Sequence, residues 1–101
     1  MRVAVKLIGF QAFPDVQKDL VDGAVQLALP EDATAEDLLR HLAEQYGAVF
    51  AAGRLGGAGG LTRIRVFIDN EMVEDPKTGL AGKLRPQSEV TVSLLRPLRG
   101  G

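Results

Sequence analysis

Apolar residues recur at every second position in four stretches of the chain and at helical spacing in a fifth. In Arg2-Val-Ala-Val-Lys-Leu-Ile8, Val3, Val5 and Leu7 alternate with Arg2, Ala4 and Lys6, which predicts a strand with one buried face. Residues 9–19 break that pattern around Pro14-Asp15 and read as a connection. Asp22-Gly23 signals a turn, and Val25, Leu27 and Leu29 then resume the alternation up to Pro30. The two strands are expected to pair as an antiparallel hairpin across a loop longer than a tight turn needs. Arg63-Ile-Arg-Val-Phe-Ile-Asp69 is the clearest internal strand, through Ile64, Val66 and Ile68. The turn Asp69-Asn70-Glu71 follows it, and Met72-Val73 is expected to begin a short return strand. Ser88 to Leu95 closes the set, with Val90, Val92 and Leu94 set against Thr91 and Ser93.

The helical stretch begins at Thr34-Ala-Glu-Asp37, the layout of an N-cap followed by an acidic residue at the third helical position. Leu38, Leu39, Leu42 and Tyr46 then share one face, and Gly47 stands where a C-capping glycine belongs. About three turns of amphipathic helix result, with Val49 and Phe50 expected to close the core behind it. Residues 48–62 hold Gly53, Gly56, Gly57, Gly59 and Gly60, but Leu-Thr-Arg follows the last pair, where a phosphate loop needs Gly-Lys-Ser/Thr running into a helix. A flexible surface loop is the expectation there. Asp75-Pro76-Lys77-Thr78-Gly79 reads as a further turn, and Leu80 and Leu84 flank Gly82 in an irregular stretch. The order strand, strand, helix, strand, short elements, strand predicts an α+β domain, a mixed sheet packed on one helix.

With 101 residues, the chain fits one domain with a single core. Hydrophobic content of 46% with 25% charged residues is that of a globular protein rather than a disordered one. No cysteine is present, which removes disulfides, thiolate nucleophiles and cysteine-ligated metals. A net charge of −1 argues against a nucleic-acid partner, and no apolar run approaches the roughly 20 residues of a membrane span. A soluble, cytoplasmic protein, monomeric when free, is expected. From Gly82 onward, Lys83, Arg85, Arg96 and Arg99 face only Glu89, an excess that could steer an acidic partner groove or simply keep an edge strand soluble.

Catalytic chemistry finds little support in the side chains. His41 stands one turn after Asp37 and reads as a solvated i,i+4 pair. With one histidine and no cysteine, no metal site is expected; Glu31-Asp32 and Glu36-Asp37 surround the helix start, where the helix dipole accounts for them. The reactive candidate is the ending itself, Arg96-Pro97-Leu98-Arg99-Gly100-Gly101, entered directly from a strand. Glycine imposes few steric limits and adds no side chain, so a diglycine can enter a narrow channel. Its α-carboxylate becomes an electrophile once adenylated. A frayed polar terminus is the alternative. Pro97 lacks an N–H and should end sheet pairing, which divides the chain into a body of residues 1–96 and a tail of 97–101.

The strand-strand-helix start, Val66-Phe-Ile-Asp-Asn70 with its polar turn, Leu84-x-x-x-Ser-Glu-Val90, and Leu95-x-Pro97-x-x-Gly100-Gly101 together resemble the ubiquitin-like sulfur-carrier family. The ending is similar to the aromatic-Pro-Pro-x-x-Gly-Gly of the molybdopterin synthase small subunit (MoaD-like proteins), with Leu95 and Arg96 in place of the aromatic residue and first proline. Leu98-Arg99-Gly100-Gly101 resembles the ubiquitin ending as well. The resemblance implies a β-grasp fold and a chain that is a substrate of enzymes rather than an enzyme. It implies adenylation of Gly101 by a ubiquitin-activating-type enzyme (MoeB- or ThiF-like) using ATP and magnesium, then conversion to a C-terminal thiocarboxylate. No cofactor of the carrier's own is implied. The acceptor partner would be a molybdopterin synthase large subunit (MoaE-like), with Leu95, Pro97, Leu98, Arg99 and Gly100 as partner contacts. A protein modifier, a carrier for thiazole, tRNA or amino-acid thiolation, and a binding module with an inert tail are the other readings.

Overall fold

The computed structural model describes residues 1–50, 63–73, 79–85 and 87–95. The glycine-rich loop expected over 51–62, most of the turn expected at 75–79, and the tail from Arg96 lie outside the described residues. Within them the chain runs β1 (Arg2–Ile8), α1 (Pro14–Gln17), β2 (Ala24–Ala28), α2 (Ala35–Tyr46), a single 3-10 turn (Ala48–Phe50), β3 (Arg63–Ile68), β4 (Glu71–Met72) and β5 (Val90–Leu95). The strands form one sheet in the order β2-β1-β5-β3-β4. Only β1 and β5 run parallel; β1–β2, β3–β4 and β3–β5 are antiparallel. This is the mixed sheet with one main helix of a β-grasp fold.

Alternation sets the core. Val3, Val5 and Leu7 of β1, Val25 and Leu27 of β2, Ile64 and Val66 of β3, and Val90, Val92 and Leu94 of β5 are all buried in one cluster with Leu38, Leu39 and Leu42 of α2. Because side chains alternate across a strand, the same residues commit Ala4, Lys6, Arg65 and Ser93 to the opposite, outer face. Phe50 is fully buried, as expected, and stacks on Phe10 with ring centroids 4.8 Å apart; Phe13 meets Phe10 edge-on at 5.6 Å. These rings fill the end of the core at which β1 stops.

The connection after β1 is more ordered than expected. Pro14 opens α1, where its missing N–H costs nothing, and Val16 is buried beneath it. The Gln17 amide donates to the Phe10 carbonyl at 3.0 Å. Four residues are too few to show a helical period, so this element leaves no pattern in the sequence.

Helix α2 carries a complete capping box. The Asp37 N–H donates to Thr34 Oγ1 at 3.2 Å, and the Thr34 N–H donates back to Asp37 Oδ2 at 3.0 Å. Its remaining first-turn donors go to a distant segment: Ala35 N–H donates to the Gly82 carbonyl and Glu36 N–H to that of Leu80. Leu84 N–H donates in turn to the Ala33 carbonyl. The irregular stretch flanking Gly82 is therefore the helix's second cap, and it buries Leu80 and Leu84 in the core. At the other end Gly47, at φ 122°, donates to the Ala43 carbonyl at 2.9 Å.

Two-residue turns account for both short hairpins. Asp69 and Asn70 take φ of 51° and 70° between β3 and β4. Asp22 and Gly23 take 55° and 80° just before β2, where Val21 and Ala24 exchange backbone hydrogen bonds. Positive φ at both central residues matches the turn twist to the strands, and Asp, Asn and Gly tolerate it best.

Candidate functional site

The strand leading to the chain's ending lies at the middle of the sheet. β5 is flanked by β1 on one side, through Val5↔Val90 to Ile8↔Ser93, and by β3 on the other, through Arg63↔Leu95 to Ile68↔Val90. The expectation that its basic neighbours serve an edge strand is corrected: Thr91 and Ser93 give β5 a polar outer face, but both its hydrogen-bonding edges are occupied from Val90 to Ser93, and β3 alone continues the pairing to Leu95. Leu95 therefore leaves the sheet from its middle. Gly9 abuts that point. It sits at φ 90°, and a Cβ there would stand 2.7 Å from the Leu94 carbonyl oxygen. Only glycine lets the end of β1 come this close to the end of β5. Gly9, Gln11, Ala12 and Leu94 line a hollow of about 360 Å³ beside it.

Of the site residues expected from sequence, Leu95 is placed, as the last residue of β5 opposite Arg63. Pro97, Leu98, Arg99, Gly100 and Gly101 lie outside the described residues. The outer face beside Leu95 adds residues that sequence reasoning passed over. Ile8 is 54% exposed and Met72 43%, and Phe67 is half-buried. Registers Ile8↔Ser93↔Arg65 and Lys6↔Thr91↔Phe67↔Met72 carry them across the sheet in two adjacent rows. The face thus mixes apolar side chains with exposed Lys6 and Arg65. A signal for it existed: Ile8 and Phe67 are apolar residues in the polar register of their strands.

The side chains with perturbed titration serve structure. Asp37 is held below its ordinary value of 3.8, first by the hydrogen bond from the Thr34 backbone, with Arg40 adding to it. Its Oδ1 accepts from Arg40 at 2.9 Å. Both carboxylate oxygens are engaged by Thr34 and Arg40, so the expected pairing with His41 is replaced by one at i,i+3. Tyr46 is pushed up to about 12, chiefly by burial and then by Asp19, to whose Oδ2 it donates at 2.7 Å. Among the described residues no polar or charged side chain is buried, and no three His, Asp or Glu gather as metal ligands. No helix of these residues is long and apolar enough to cross a membrane.

A β-grasp body whose central strand precedes a diglycine ending in the sequence belongs to the ubiquitin-like small-protein class. Within that class, the sequence model of the ThiS family matches residues 12–101, and the chain belongs to this family of ubiquitin-like sulfur carriers. The crystal structure of SAMP1 from Haloferax volcanii is similar in fold, with a TM-score of 0.56 at 21% identity and 100% of each chain covered. The solution structure of the Haloferax volcanii HVO 2177 protein gives a TM-score of 0.55 at 26% identity, covering 99% of this chain and 88% of that one. No curated protein matches the chain.

Proposed function

We propose that the Gly101 carboxylate is the working group of this chain and that it carries sulfur as a thiocarboxylate. The observation that supports this reading most is the reach of the ThiS family match to residue 101, which takes in the whole Pro97-Leu98-Arg99-Gly100-Gly101 ending. A carboxylate oxygen of Gly101 attacks the α-phosphorus of ATP on an adenylating enzyme of the MoeB or ThiF type, and pyrophosphate leaves. A sulfide-level donor then attacks the acyl carbon, and AMP leaves with the oxygen. The carrier supplies no catalytic group to either step. It supplies a tail narrow enough to enter the enzyme and a body to grip.

The outer face of the sheet is suited to that grip. Ile8, in the row that adjoins Leu95, and Phe67 and Met72, in the row beyond it, offer apolar contact, and Lys6 and Arg65 complement an acidic partner surface. Delivery of sulfur to a pterin, with a MoaE-like large subunit as acceptor, accords with the Pro97-x-x-Gly100-Gly101 spacing. This carrier would work as a cytoplasmic monomer between partners. The Leu98-Arg99-Gly100-Gly101 ending favours a second reading, a modifier joined through Gly101 to lysines of other proteins.

Intact mass spectrometry after incubation with ATP, magnesium, an adenylating enzyme and a sulfur donor tests the proposal. One oxygen should be replaced by one sulfur, and the gain should vanish when Gly101 is deleted. An unchanged mass with an enzyme that demonstrably forms the adenylate would sink the carrier reading. Diglycine remnants on lysines of other proteins would favour the modifier.

A further inference from the structure

The two edges of the sheet are finished differently. β4 is two residues long and carries Glu71, so it offers little to an incoming strand. β2 runs five residues, Ala24-Val-Gln-Leu-Ala28, with no charge, proline or bulge. Its backbone polarity follows from the ladder. Leu29 N–H donates to Met1 and Leu7 N–H to Gly23, so odd-numbered residues of β2 turn their polar groups toward β1. Ala24, Gln26 and Ala28 turn theirs outward. Ala24 is already paired with Val21. Among the described residues nothing meets the N–H and C=O of Gln26 and Ala28. The open window is closed at one end by the Val21–Ala24 bridge and at the other by Pro30, which has no N–H to offer.

Beside this window lies a groove of about 380 Å³ between β2 and the end of α2, lined by Asp19, Val21, Val25, Gln26, Gln45 and Tyr46. Val21 is 72% exposed there, an apolar side chain on the groove wall. Exposed carboxylates mark both ends of the strand: Asp19 and Asp22 before it, Glu31 and Asp32 after it. Lys18 and Arg2 are the cations adjoining them.

We propose that the β2 edge receives an extended segment of a partner protein, apolar at alternate positions and basic at both ends. Its backbone exchanges hydrogen bonds with Gln26 and Ala28, an apolar side chain enters the groove against Val21 and Tyr46, and its basic ends meet the paired carboxylates. The charges also decide against a second copy as the occupant. Self-pairing about a two-fold axis at Leu27 would use every free backbone group, but it would set Asp22 of one copy opposite Asp32 of the other. The acidic ends therefore both recruit a basic strand and keep the edge from pairing with itself. This surface is two strands away from β5, so it can be filled while the tail is engaged, and it does not depend on the tail chemistry.

The probe is a peptide with a Val-Thr-Val-Thr-Val centre and Lys-Arg at each end, titrated into the full-length protein and followed by amide NMR shifts. Shifts should be confined to residues 21–29, 45 and 46, with slowed exchange of the Gln26 and Ala28 amides. N-methylation of the peptide amides that face β2 should weaken binding about tenfold, as loss of one to two hydrogen bonds predicts. The double variant Asp22→Asn, Asp32→Asn should weaken it severalfold and reduce its salt dependence. Shifts centred on Ile8, Phe67 and Met72, or equal binding of a peptide with Glu at each end, would overturn the assignment. Concentration-dependent self-association through the same amides without peptide would overturn the choice of occupant.

Discussion

Replacing Gly9 by alanine tests whether the close approach of β1 to β5 fixes the root of the tail. Two costs add at this position. The backbone sits at φ 90°, which costs a residue with a Cβ about 1–2 kcal/mol. The new Cβ also lies 2.7 Å from the Leu94 carbonyl, well inside the 3.4 Å at which ordinary contact begins, and the obstacle is backbone rather than a flexible side chain. Forced overpacking of this kind costs about 1–3 kcal/mol. Gly23 isolates the first cost: it sits at φ 80° with nothing within 4 Å of its added Cβ. Gly9→Ala should therefore lose about 2–5 kcal/mol and Gly23→Ala only about 1–2 kcal/mol. In urea unfolding the free energies of the two variants should differ by at least about 1 kcal/mol at equal slope, and Gly9→Ala alone should move the Leu94 and Leu95 amides. If both variants unfold within about 0.5 kcal/mol of each other, the contact is not a constraint and the argument for a fixed departure point fails.

Thr34→Ala removes half of the capping box and should cost about 1 kcal/mol in chemical denaturation. Asp37 has a folded pKa below 3.8, so its stabilising contribution is present above that value and lost as pH falls through the lower folded one. Melting temperature should accordingly fall less steeply in acid for Asp37→Asn than for the parent. A parallel pH dependence in the two proteins would dismiss the capping account. Tyr46 is the one tyrosine, so tyrosinate absorbance reports it alone. Its midpoint should lie near 12 and not 10, and the stability linked to the neutral phenol should be intact below 10 and lost as pH rises through about 12. Asp19→Asn should lower that midpoint without restoring the ordinary one, because burial is the larger cause; a midpoint near 10 in the parent would refute the pairing.

Local pattern carried much of this fold. Val3, Val5, Leu7 and their counterparts in β2, β3 and β5 revealed four strands because one face of each is buried, and Thr34 with Gly47 bracketed α2 because capping is a property of adjacent residues. What depended on distant residues was hidden. Nothing within residues 79–85 indicates that their carbonyls cap a helix that begins at Ala35, and the basic residues flanking β5, Lys83, Arg85, Arg96 and Arg99, read as the solubilising charges of an edge strand although β5 is central. The site divided the same way: the ending was visible as a motif, whereas the outer face depended on how Ile8, Phe67 and Met72 align across three strands. Register is a tertiary fact, and one strand read alone does not contain it.

The placement of β5 has a consequence for when the protein becomes able to act. β5 is the last of the five strands to leave the ribosome, yet it joins the β1–β2 hairpin to the β3–β4 hairpin. Until it arrives, the β1–β2 and β3–β4 hairpins are not joined in one sheet. Completion of the sheet and emergence of the segment that follows it are therefore nearly one event. A chain stalled or truncated before Val90 lacks the strand that joins the two hairpins. The sheet is thus completed only by the stretch of chain that directly precedes the terminal residues.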